Sequence, residues 1–294
     1  MRNVELICIL SLLGLASDGQ AAAPVPLVRY FPPPAPNAAV IVAMQRQSAL
    51  ALVGAITPEA IASIMRSAQP AARLQTLYID SPGGDVASAI RLTEFLRSHK
   101  TRVIVAGRCF SACANFVFAG AVAKDVLPGS LVGIHGSTYT YYDGTTLRFA
   151  KAYDRAAMAQ WRDKDVTVAP QVARLDDMQR QFYSARQLSL TYHDVFARYE
   201  IRRAALPSAS ACPDYLLWAL DRPLLEGMGI KGLGAVWTPR NADEARSVAI
   251  DLGMSGPQIF FGSAARLDST CRQDETLVDK LKSWVDALRA LTGT

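Results

Sequence analysis

Apolar positions along the chain fall into two rhythms. Short unbroken apolar runs read as buried strands: AVIVAM (39–44), ALALVGAI (49–56), RLQTLYI (73–79), TRVIVAG (101–107) and LVGIH (131–135). Between them lie segments with the stripe of a 3.6-residue period. TPEAIASIMRSA (57–68) has Thr57 as N-cap and Pro58 at the first helical position. DVASAIRLTEFLRSH (85–99) carries its stripe on Val86, Ala89, Ile90, Thr93 and Leu96, and SACANFVFAGA (111–121) is a short apolar helix. Strands alternating with helices at this spacing predict right-handed βαβ units and a largely parallel sheet in an α/β fold.

The alternation then stops. GSTYTYYDGTTLRFA (136–150) reads as a hairpin or loop, residues 171–203 as one long helix, and 240–294 as a polar extension closed by an amphipathic helix. Residues 22–38 include the proline-rich PVPLVRYFPPPAP, an extended linker, so the globular domain is expected over 39–239. At the start, Arg2 precedes the apolar stretch 6–16 and the small residues SDGQAAA, the layout of a secretory signal over 1–21. That stretch is too short to span a bilayer as a stable helix, and no second stretch is long enough. The processed protein is therefore expected to be soluble and periplasmic or secreted.

Composition refines this picture at two points. Half of the 294 residues are apolar, enough for one sizeable core, and the net charge of +5 is scattered without a basic run. No nucleic-acid motif accompanies it. Of five cysteines, Cys8 lies in the signal; Cys109, Cys113, Cys212 and Cys271 remain. An even number in an oxidising compartment suggests disulfides, with three connectivities open. Cys212–Cys271 and Cys109–Cys113 are the favoured pairs, and small buried thiols are the alternative.

Two strand-to-helix junctions concentrate the candidate chemistry. In IDSPGGDV (79–86), Gly83 and Gly84 follow a strand and Asp85 stands where it can cap the next helix. In AGRCFSAC (106–113), Ser111 stands at the start of the apolar helix. Helix N-termini carry unpaired N–H donors and partial positive charge. If the two strands are neighbours, both amide sets face one crevice at the carboxyl edge of the sheet, as an oxyanion requires. A serine there more often serves only as a helix N-cap.

In order and spacing, LVGAI, LYIDSPGGDVASAI, GRCFSACANFVFAGA and LPGSLVGIH (together about 50–135) resemble the serine peptidase family of the Clp protease proteolytic subunit, within the ClpP/crotonase-like superfamily. The nearest likeness is to exported Clp-like proteins with a Cys-x-Ser-Ala-Cys segment. The resemblance implies a ClpP/crotonase-like fold of repeated ββα units with flanking helices. It makes Ser111 the nucleophile, His135 its base, and the N–H groups of Gly84 and Ala112 the oxyanion hole. The family acid falls on Leu217 within CPDYLLWALDRPLLEGMGIKGLG (212–234), so Asp214 is the candidate after a short insertion, with Asp176 or Asp177 behind it. Peptides or unfolded protein are the implied substrates and a homo-oligomer the implied assembly.

The remaining candidates read as structural. His99 ends a helix beside Lys100, and His193 lies within a helix; Lys124 as partner in a Ser–Lys dyad competes with a solvated lysine. A thiol nucleophile at Cys109 or Cys113 conflicts with oxidation. No metal or cofactor is implied, and there is no P-loop. Two other classes stay open: a non-catalytic binding or assembly module on the same fold, favoured by the unmatched acid and paired cysteines, and acyl-CoA chemistry, disfavoured outside the cytoplasm. Intact-mass measurement of exported protein should find the mature N-terminus between Ala21 and Pro24; an exported species beginning at Met1 would contradict the signal reading.

Overall fold

The computed structural model describes residues 6–8, 38–44, 48–68, 74–135, 138–143, 146–151, 168–205 and 212–271. The linker and the final amphipathic helix, read at 22–38 and near the C-terminus, lie outside them apart from Ala38.

Ten strands form one sheet. Its spine runs β1 (Leu6–Cys8), β2 (Ala39–Met44), β3 (Ala49–Gly54), β4 (Thr76–Ser81) and β5 (Arg102–Phe110). It continues through β7 (Leu131–Ile134), β10 (Leu217–Ala219) and β12 (Ile259–Phe261). β5 is shared: its first half pairs with β6 (Ala123–Val126) and its last residues with β7, both parallel. β11 (Leu233–Val236) extends the β6 branch. β2–β3 and β7–β10 are antiparallel and the other pairs in this sheet are parallel. β3 is buried at every position, as strands covered on both faces must be. β8 (Thr138–Asp143) and β9 (Thr146–Lys151) form a separate hairpin.

Helices cover the sheet where the sequence signals place them. Thr57 accepts the Ala60 amide at the start of α1 (Pro58–Ser67), and Asp85 accepts the Ser88 amide at 2.7 Å to start α2 (Val86–Ser98). The apolar segment after Ser111 is helical but widened, with π geometry over α3 (Cys113–Phe118). The expected long helix over 171–203 is two: α4 (Val168–Arg186) and α5 (Thr191–Ala205). Gln187 takes a left-handed φ of +57°, and the Leu188 amide returns to the Tyr183 carbonyl. That is a helix stop of the Schellman kind, made without glycine or proline. Ser189 then caps α5 through the Thr191 amide. α4 covers α3 with aromatic rings, Phe116 meeting Phe182 edge-on at 5.1 Å.

Part of the segment read as a polar extension belongs to this domain. After α6 (Arg222–Gly227), α7 (Ala242–Asp251) packs Val248, Ala249 and Leu252 on Phe110, Leu131 and Leu217, and β12 joins the sheet beside β10, ahead of α8 (Ala264–Ser269). A helix with one apolar face reads as polar in bulk composition, which is how this segment reads in the sequence. β1 lies within the stretch read as the signal and pairs with β2, so processing would leave β2 at that edge. Among the described residues no helix is long and apolar enough to cross a membrane.

Candidate active site

The site begins with a bulge. Between β4 and β5 the register slips, Ile79 opposing Val105 but Ser81 opposing Cys109. The fully buried Asp80 carboxylate fills the irregularity, accepting from the Arg108 amide at 3.0 Å and its Nε at 2.8 Å. Gly107 makes room: a Cβ there would stand 2.6 Å from the Asp80 carboxyl carbon, at a φ of +147°. The pair thus sets where the end of β5 points.

Beyond Phe110 the chain turns at Ser111 with φ +54°, a left-handed conformation uncommon outside glycine. The Ser111 amide donates to the Gly133 carbonyl at 3.1 Å, while its own carbonyl accepts from the Asn115 amide at 2.8 Å. Cys109 and Cys113 form a disulfide across the turn, their Cα atoms 5.1 Å apart. Instead of capping the helix, the serine side chain faces the end of β7, where His135 Nε2 lies 2.7 Å from Ser111 Oγ. Both residues are half-buried.

The glycine turn meets this serine from β4. Ile56 donates to the Gly83 carbonyl and accepts from the Asp85 amide. In a parallel bridge that pattern turns the intervening Gly84 N–H away from Ile56, toward the β5 side. The Gly83 N–H is taken by Ser81 Oγ at 3.1 Å. A Cβ on Gly83 would stand 2.8 Å from that of Ser111 and 3.0 Å from the Ala112 nitrogen, so the turn lies directly against the helix start. The turn thus carries Gly84, which is partly exposed, one residue from the point where it meets Ser111 and Ala112.

Asp214 does not join them. It makes an ion pair with Arg203 at 2.8 Å and no hydrogen bond to His135. Trp218 opposes Ile134 across the antiparallel β7–β10 pair, so the next step of the register sets Leu217 opposite His135. Asp214 lies three residues further on, where α5 supplies a cation. Asp176 is held by Arg180 one turn along α4, and Asp177 is exposed. His99 bonds the Phe95 carbonyl at the end of α2. Lys124 is neither solvated nor beside the serine: it is 1 % exposed and aligned with Val103, at the opposite end of β5. Cys109 is consumed with Cys113, and Cys212 pairs with Cys271.

One polar cluster escaped the sequence reading. His193 is buried behind the serine turn, with Nε2 3.1 Å from Asn115 Oδ1 and 3.4 Å from the Tyr183 hydroxyl. Because Oδ1 only accepts, Nε2 carries the proton and Nδ1 is a bare acceptor, buried without a hydrogen-bond partner. Burial foremost, then the charge of nearby His135, pushes the His193 pKa down to about 3. Asn115 at the fourth position after Ser111 was the available clue.

A mixed but largely parallel sheet, helices on its faces and a Ser–His pair at its carboxyl edge define a ClpP/crotonase-like α/β domain. Residues 41–146 match the family model of Clp protease, which supports a ClpP-like family for that part of the chain. A ClpP1 variant from Listeria monocytogenes is similar over 67 % of this chain and 94 % of its own, at 14 % identity and a TM-score of 0.37, an overlap too loose to support further inference. No protein of curated function matches.

Two outcomes follow from this geometry. Peptide mapping without reductant should recover Cys109–Cys113 and Cys212–Cys271 as linked pairs; four alkylatable thiols would contradict it. His193 is neutral in the folded state down to a pKa of about 3, against about 6.5 when unfolded. Its contribution to stability is complete above pH 6.5 and is lost as pH falls toward 3, by up to about 1.4 kcal/mol per unit. Denaturant titrations between pH 6.5 and 4.5 should show this slope in the wild type and a flatter one in His193→Gln.

Proposed function

We infer that the protein is an exported serine peptidase acting on peptides or unfolded protein. The observation that carries this reading is the 2.7 Å contact between His135 Nε2 and the Oγ of a left-handed Ser111. Ser111 attacks the carbonyl carbon while His135 takes its proton; Gly84 and Ala112 N–H groups hold the oxyanion. Collapse expels the amine, which leaves with that proton, and water repeats the sequence on the acyl-enzyme. Two disulfides support an oxidising compartment, and the family resemblance supports a homo-oligomer.

A second reading, a binding or assembly module on the same fold, is favoured by the disulfide flanking Ser111 and by Asp214 engaged with Arg203. Labelling of oxidised, processed protein by a fluorophosphonate separates the two. Under the peptidase reading Ser111 is labelled, and Ser111→Ala and His135→Ala each lose on the order of 10³-fold or more in kcat, the double variant being hardly worse. Asp214→Asn should leave the rate within about twofold, since its carboxylate serves Arg203. Absence of both labelling and hydrolysis across a peptide library would leave the binding module standing.

A further inference from the structure

At the far end of α3 from Ser111, a cavity of about 340 Å³ opens between α2, β6, α4 and the turn before β11. Residues 112–120 separate the two places, about 13 Å along a helix. Four cations line the cavity, Arg97, Lys124, Arg186 and Lys231, and among the described residues no acidic side chain does. Glu94, an exposed carboxylate outside the lining, pairs with Arg186 Nη2.

Compensation of the α3 dipole explains only part of this charge. Lys124 Nζ donates to the Ala119 carbonyl at 3.1 Å and Arg97 Nη1 to that of Gly120 at 2.7 Å, as cations do at a helix C-terminus. One bond each is used. Lys124 lies 1 % exposed on the cavity floor with two further N–H donors. Burial, then the charge of Arg97, pushes its pKa down to about 7, as expected of an ammonium held without a counter-charge. The Arg186 guanidinium stacks 3.8 Å over the Phe182 ring, and its buried Nε has no hydrogen-bond partner. Gly120 keeps the wall open: a Cβ there would stand 2.5 Å from Thr93 Cγ2 and 3.3 Å from that Nε.

We propose that this cavity binds a small polyanion bearing phosphate or carboxylate groups, gripped by Lys124 and Arg186 at the floor and by Arg97 and Lys231 at the exposed rim. A stacked guanidinium and a desolvated ammonium are the donors that such oxygens accept from. The volume suits a molecule larger than one inorganic phosphate. The site is separate from the Ser–His pair, so it stands or falls independently of peptidase activity.

Calorimetric titration of the oxidised, processed chain with pyrophosphate and with citrate, at constant ionic strength, tests it. Saturable binding of pyrophosphate alone assigns phosphate, of citrate alone carboxylate; binding of both assigns charge without selection between them. In each case Lys124→Met and Arg186→Gln should weaken binding roughly tenfold or more, the loss of a hydrogen bond to a charged group. Lys231→Gln, at an exposed position whose change leaves the core intact, should weaken it a few-fold, and Arg240→Gln, outside the cavity, should change nothing. If the Lys124 variant does not fold, Arg186→Gln and Lys231→Gln decide. No saturable binding of either probe, or binding that these cavity variants leave unchanged, overturns the proposal.

Discussion

The left-handed turn at Ser111 is the constraint around which this molecule is arranged. A residue with a Cβ spends on the order of 1 kcal/mol to hold that conformation, and here several restraints hold it. Its amide is bonded to Gly133, its carbonyl to Asn115, and a disulfide ties the residue two before it to the residue two after. Upstream, the buried Asp80–Arg108 pair fixes the slip in register that delivers the chain to this turn. Removing Arg108 would leave the Asp80 charge in the interior, so the bulge is coupled to the fold.

Tertiary layers converge on the same place. Phe110, next to the serine, is packed by α7 and β12, which come from the end of the described chain. On the other side α4 lays Phe182 and Tyr183 against Phe116 of α3, and α5 reaches it through His193 and Asn115. A nucleophile on a loop supported from one side would sample many positions; one clamped between two cores samples few. The wide turn of α3 lets Asn115 reach back beneath the serine and bond His193.

Electrostatically, α3 is a short dipole with a task at each end. At its start, unpaired amides and partial positive charge lie beside Ser111 and the glycine turn. Its far end is met by Arg97 and Lys124 on the last carbonyls. Between the two sits His193, which burial keeps neutral. Four cations gather at this far end, around a cavity that no carboxylate among the described residues lines.

Local rules in the chain were sufficient for the alternating core. Apolar runs gave β2 to β5 and β7, Thr57 and Asp85 marked two helix starts at fixed offsets from the amides they cap, and paired glycines after β4 marked a backbone approach. Such signals act over a few residues, so they survive without knowledge of what packs against them. The Ser111–His135 contact was legible through family resemblance, since 24 intervening residues carry no distance of their own. Other features depended on partners far away in the chain. Gln187 breaks a helix with no breaker residue because Leu188 and Ser189 find carbonyls at Tyr183 and Met228. Asp214 turns to Arg203 because α5 ends beside it, and Lys124 is buried because α2, α4 and the turn before β11 close over β6. Charge and burial are properties of what surrounds a side chain, and those surroundings exist only after distant segments have met.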